Sequence, residues 1–193
     1  MEKIVVGLTG ASGSIYFLRL MDYLSREPRK IHVVASDNGE KVFQYETKRN
    51  LKDEVEKWNK KQAEVVLEED NNLFSPIASG SYQADKMIII PCTMSTLGEL
   101  AGGITKSLLT RAADVFIKEK RPLVLVPRET PLSAIHLKNM YELAAIGVHM
   151  VPAIPGFYNH PETMDDLIDF VVGKALDGLQ LKHDQYERWK GGK

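Results

Sequence analysis

The stretch Lys3-Ile4-Val5-Val6-Gly7-Leu8-Thr9-Gly10-Ala11-Ser12-Gly13-Ser14 decides the fold class. A β-branched, apolar run (Lys3–Thr9) enters a glycine-rich turn, and a helical pattern over Ser14–Leu24 follows at once. Strand, tight turn and helix in that order open a βαβ unit. The alternation continues outward. Further strands are expected at Ile31–Ser36, Lys86–Pro91, Leu123–Pro127 and Val148–Pro152. Helices are expected at Gly39–Lys48, Thr96–Leu100, Ser107–Lys118, Ser133–Ile146 and Met164–Leu179. Nearly continuous apolar runs mark strands covered on both faces, so the class is α/β with a parallel sheet. Three strands (IIIP, VLVP and HMVP) are expected to stop at their prolines, which cannot donate to a ladder. Ligands of such sheets lie beyond the strands' carboxyl ends, which directs attention to the residues after those prolines.

Composition bounds what the chain can be. With 193 residues, 44% hydrophobic and 26% charged, there is material for one ordinary core and none of the bias of disordered or collagen-like chains. Lys+Arg 25 against Asp+Glu 26 leaves no basic excess, which argues against nucleic acid as a partner. One cysteine cannot form an internal disulfide. Runs such as Met87-Ile88-Ile89-Ile90 are too short to span a bilayer, and the first ten residues lack a signal peptide's h-region, so a cytoplasmic location is expected. Leu51, Val55 and Trp58 repeat at helical spacing within the charged segment 48–62, read as a solvated surface helix. Residues 1–180 are expected to form one domain. Residues 181–193 are a polar tail with Tyr186 and Trp189, either frayed or docked on another subunit.

The turn at Gly7–Ser14 has G-x-x-G-x-x-G spacing rather than the dinucleotide fingerprint, and Gly103-Ile104-Thr105-Lys106-Ser107 lacks the Gly-Lys pair of a P-loop. Its position at the first crossover favours a phosphate or cofactor on the free N–H groups of the following helix; the bland alternative is a capped turn. Pro91-Cys92-Thr93-Met94-Ser95-Thr96 places three hydroxyls at one strand end, more than capping needs. Cys92 reads as a packed thiol. Arg128 and Glu129 stand between two prolines after a strand, where an Arg suits bidentate phosphate binding and a Glu suits proton transfer. A surface ion pair is the alternative there. Pro155–Pro161 brings Phe157 and Tyr158 to the expected crevice. Asp165, Asp166 and Asp169 open a helix, a placement that suits its dipole, and no metal site is expected there or at the scattered histidines.

Together, TGASGS, PCTMSTL, TRAADVFIKEKRPLVLVPRETPL and PGFYNHPETMDDLIDFVVGKALD closely resemble the flavin prenyltransferase (UbiX) family, from about Lys3 to Leu181. The resemblance implies a single flavoprotein domain, a Rossmann-like/flavodoxin-like three-layer sandwich around a central parallel sheet. It implies a transferase that takes reduced FMN as its substrate. A dimethylallyl group from dimethylallyl monophosphate is joined to flavin N5 and closed onto C6, without a metal. The product, prenylated FMN, serves a UbiD-type decarboxylase. By position, Gly10, Ala11, Ser12, Ser36, Thr93, Met94, Ser95, Thr96 and Arg128 match the flavin site. Lys118, Arg128, Glu129, Tyr158 and Lys174 match positions around the allylic phosphate, some from neighbouring subunits of a dodecamer. The implied chemistry gives Glu129 the proton transfer, Ser12 the orientation of groups near N5, and Lys118 a share in stabilising the departing phosphate. Lys174 stands where Arg is common, Thr93 where Ser is frequent, and Gly156 replaces a usual Ala, which is expected to loosen the Tyr158 loop.

Two other readings meet obstacles. Peptidyl-cysteine decarboxylases of this fold use a mid-chain His and a PASANT loop, whereas no His lies between His32 and His136 and the loop reads PCTMST. An FMN carrier of the flavodoxin kind would be strongly acidic and would have no use for a second set of cations.

Overall fold

The computed structural model describes residues 1–189 and Gly191. Six parallel strands form one sheet: β1 (Glu2–Leu8), β2 (Arg29–Ala35), β3 (Glu64–Glu68), β4 (Lys86–Cys92), β5 (Leu123–Pro127) and β6 (His149–Met150). Their order across the sheet is β3-β2-β1-β4-β5-β6. The order reverses between β1 and β4, and a crevice opens at such a reversal beyond the carboxyl ends.

Seven helices flank the sheet: α1 (Ser14–Leu24), α2 (Asp37–Thr47), α3 (Leu51–Trp58), α4 (Met94–Ala101), α5 (Leu108–Lys118), α6 (Ala134–Ala145) and α7 (Met164–Gly178). The alternation of β1 explains the layers. Ile4, Val6 and Leu8 face one core with Phe17, Phe43, Trp58 and Leu176, which belong to α1, α2, α3 and α7. Val5 faces the other core with Leu97, Leu109 and Leu143, from α4, α5 and α6. This is the expected three-layer sandwich around a parallel sheet.

Several expectations need correction. Segment 48–62 is not a solvated helix: α3 buries Leu51, Val55 and Trp58, and the Trp58 indole N–H donates to Asp22 at 2.9 Å. Strand β3 was absent from the sequence reading. Nor do the prolines stop all three strands. Pro91 lies within β4, where the register to β5 shifts between Ile89 and Cys92, while β6 ends at Met150 before its proline. Among the described residues no helix is long and apolar enough to cross a membrane.

Helix α6 differs from the others. Leu143 is its single buried residue, while Ile135, Leu137 and Tyr141 face outward with more than half of their surface exposed.

Candidate active site

The site is built from loops at the carboxyl edge of the sheet. After β1, Gly10–Gly13 turns the chain into α1, and Gly13 caps the helix at φ 116, a left-handed backbone that glycine adopts without strain. A Cβ on Gly10 would come within 2.8 Å of Asn38 Cβ, so the glycine lets this turn approach α2. Buried Thr9 stitches the loop to β4: its hydroxyl donates to the Pro91 carbonyl at 2.7 Å and accepts from the Thr93 amide at 2.8 Å.

Ser36 and Thr93 each cap a helix as well as standing at a strand end. Ser36 Oγ accepts from the Gly39 amide at 3.1 Å, and Thr93 Oγ1 accepts from the Thr96 amide at 3.1 Å and donates to Thr96 Oγ1 at 2.9 Å. Gly10, Ser36, Asn38, Thr93, Ser95 and Thr96 line a common cavity of about 390 Å³ at the ends of β1, β2 and β4. Hydroxyls and helix-terminal amides around a cavity suit the phosphate and ribityl chain of a flavin mononucleotide.

Across the reversal point, Arg128 reaches back from the end of β5, and its Nε donates to the Ser12 carbonyl at 2.9 Å. Glu129 Oε1 accepts from the Thr130 amide at 3.1 Å. Met94, Arg128, Glu129, Leu132 and Met140 border a smaller cavity of about 90 Å³. The fold thus brings Met94, Arg128 and Glu129 to one cavity, with Ser12 tied to Arg128, and the hydroxyl residues to another.

The amides at the start of α1 are not free. Glu46, from α2, accepts from Gly13 at 3.0 Å and from Ser14 at 2.9 Å. Burial pushes its carboxyl up, but Ser12 and those amides outweigh this and hold it below the usual range. The expected phosphate seat on α1 is therefore occupied by a carboxylate of the chain itself. Thr9, Asn38 and Glu46 all escaped the sequence reading. A Thr closing the first strand was a visible signal for the first; no pattern within α2 marks the other two.

Lys118 does not join these residues within the chain. It ends α5 at the amino edge of the sheet, beside Glu119 at 3.7 Å, while Arg128 and Glu129 follow β5 at the carboxyl edge. Tyr158 and Lys174 form a further group with α7. The Tyr158 ring packs edge-on against Phe170 at 5.7 Å and Trp189 at 5.9 Å, and the Lys174 ammonium lies 5.5 Å from the Phe170 ring centre. A hydrogen bond with Tyr186 holds the Lys174 ammonium in its charged form, raising its pKa. At Gly156 a Cβ would lie 3.0 Å from Phe170 and 3.2 Å from Tyr158, so the glycine makes room for the rings.

The remaining candidates have structural partners. Asp165 and Asp169 bind Arg19 at 2.6 and 2.7 Å, and Asp166 closes a capping box with Thr163. Burial pushes the Cys92 thiol up to about 12, as a packed rather than reactive cysteine requires.

Fold and crevice together define a flavin-binding α/β protein, and the family model described as Flavoprotein matches residues 1–176. The flavin prenyltransferase UbiX of Halalkalibacterium halodurans is 50% identical over 190 residues, covering 95% of this chain and 91% of its own. A dodecameric FMN-dependent UbiX-like decarboxylase from Escherichia coli O157:H7 superposes with a TM-score of 0.91 at 42% identity, over 98% of this chain and 100% of that one. A UbiX solved with FMN and dimethylallyl pyrophosphate gives 0.91 at 38% identity, over 100% and 99%. The chain belongs to the flavin prenyltransferase (UbiX) family.

Proposed function

We propose that this chain joins a dimethylallyl group from dimethylallyl monophosphate to N5 and C6 of reduced FMN, with both molecules as substrates. The observation that carries this reading is a pair of cavities at the carboxyl edge of the sheet. A hydroxyl-lined cavity suits the flavin's polar chain, and Arg128 and Glu129 border a second one, with Ser12 tied to Arg128.

The allylic C–O bond breaks, its electron pair leaves with the phosphate, and the N5 lone pair forms the first new bond to carbon; protonation of the remaining alkene then lets C6 form the second bond, as the C6 hydrogen leaves as a proton. Arg128, Lys174 and the Tyr158 hydroxyl stabilise charge on the departing phosphate. Glu129 takes the N5 proton or passes one to the phosphate. Ser12, fixed through its carbonyl by Arg128, orients the flavin edge. Lys118 serves the same phosphate only across a subunit boundary. The outward apolar side chains of α6 supply one face for such an assembly, which we read as the dodecamer. The product is handed to a UbiD-type decarboxylase, and the enzyme works in the cytoplasm.

The test is anaerobic. Protein, chemically reduced FMN and dimethylallyl monophosphate are mixed and the extracted flavin is weighed by mass spectrometry. Gain of one five-carbon unit, lost in Glu129→Gln, is expected; unchanged flavin despite tight FMN binding would refute the transferase reading.

A further inference from the structure

The densest polar cluster outside the crevice centres on Asp177, near the carboxyl end of α7. Its carboxylate gathers three residues of the C-terminal segment. The Tyr186 hydroxyl donates to Oδ2 at 2.6 Å, and Arg188 donates from Nη2 to Oδ1 at 2.6 Å and from Nη1 to Oδ2 at 3.4 Å. The third is His183, whose imidazole is fully buried, with Nε2 3.1 Å from Oδ1. The Gln185 amide donates to His183 Nδ1 at 3.2 Å, and Arg188 Nη2 lies 3.5 Å from Nε2. Burial alone would raise the Asp177 carboxyl, yet Arg188, Tyr186 and His183 hold it at about 2. Charge-assisted bonds of this kind are about twice as strong as neutral ones.

The segment held in this way touches two of the residues assigned to the allylic phosphate, Lys174 and Tyr158. Tyr186 lies under Lys174, whose ammonium is 4.9 Å from the ring centre, and it packs against Phe170 at 5.3 Å. Helix α7 is shaped for it: a Cβ on Gly173 would overlap the Tyr186 ring. Trp189 follows directly and presents its ring to Tyr158. The described part of the tail therefore docks on the chain's own α7; Lys190, Gly192 and Lys193 lie outside the described residues.

We infer that Asp177 is a positioning residue: it pins the segment His183–Trp189 across α7, and that segment sets the Lys174 ammonium and the Tyr158 ring for the allylic phosphate. The inference rests on the reading of Tyr158 and Lys174 given above. It predicts that releasing the segment weakens the allylic substrate and spares the flavin, which binds through the other loops.

The experiment compares full-length protein with Asp177→Asn. Limited trypsin digestion reads cleavage after Arg188, flavin fluorescence reads the FMN Kd, and initial rates at saturating FMN read KM and kcat for dimethylallyl monophosphate. Expected are cleavage and KM each increased about tenfold, as loss of one charge-assisted hydrogen bond would give, with kcat and FMN Kd within about twofold. Tyr186→Phe keeps the ring over Gly173 while removing the hydroxyl from Asp177 and Lys174, and the same KM shift is expected there. Faster cleavage with unchanged KM, or unchanged cleavage, overturns the inference. So does a joint loss of FMN affinity and Tm in both variants, which would mean general loosening. The wild-type run separates the two claims, because absence of prenylated flavin there refutes the transferase itself.

Discussion

The Arg128 Nε donates to the Ser12 carbonyl at 2.9 Å, tying the end of β5 to the loop after β1 across the point where strand order reverses. A single guanidinium therefore fixes the loop that carries Ser12 while leaving its remaining N–H groups for an anion. Arg128→Lys keeps the charge but loses the planar fork. FMN affinity is expected to fall about tenfold to a hundredfold, the range for losing a hydrogen bond to a charged group, as read by flavin fluorescence titration.

Glu46 makes a second demand on the same loop. Replacing it with Ala orphans the Gly13 and Ser14 amides, and urea unfolding at neutral pH is expected to show a loss of about 1 kcal/mol, the ordinary cost of a missing cap. Because its folded pKa lies below the usual carboxylate range, the stabilisation is complete above that range and disappears as pH falls through the folded value. Wild type and variant should converge in acid.

Asp177 gives the same sign over a window that can be named. Its carboxyl is held at about 2 against an ordinary 3.8, so its contribution is present above about pH 4 and is lost on descent towards about pH 2. Urea unfolding of wild type and Asp177→Asn should differ at pH 7 and draw together as pH falls towards about 2.

Gly156→Ala inserts a methyl where the Phe170 and Tyr158 rings approach within 3.0 and 3.2 Å. Phe170 is held in α7, while the Tyr158 ring lies in a loop and can yield, so a loss of about 1 kcal/mol in urea unfolding is expected, with a raised KM for the allylic substrate.

Cys92 has a thiol pushed up to about 12 and is wholly buried. Native protein at pH 8 should resist iodoacetamide, losing that protection only in denaturant. Cys92→Ala should retain prenyl transfer, and its inactivity would show that the thiol takes part in chemistry.

How much of this was legible in the sequence depended on whether a residue's neighbours in space were also its neighbours in the chain. Strands β1, β2, β4 and β5 were readable because each is a run of apolar residues buried on both faces. Strand β3 was not: Glu64–Glu68 is an edge strand with glutamates at both ends, and only Val65 within it is fully covered. Segment 48–62 looked solvated because charges outnumber apolar residues there, yet three side chains at helical spacing suffice to bury one face. Ser12, Ser36 and Thr93 were singled out because strand ends mark the expected crevice in advance. Asn38 and Glu46 enter it sideways from α2, and only the packing of that helix brings them there. Lys118 was placed with Arg128 at the allylic phosphate by the family resemblance alone, while the intervening strand carries the two to opposite edges of one chain.

That separation has a genetic consequence. If Lys118 serves the allylic phosphate, each site is assembled from the amino edge of one copy and the carboxyl edge of another. Two chains, one damaged at Lys118 and the other at Glu129, would each be inactive alone. Co-expressed, they would form mixed assemblies in which some junctions inherit neither lesion, so activity would return from two dead alleles.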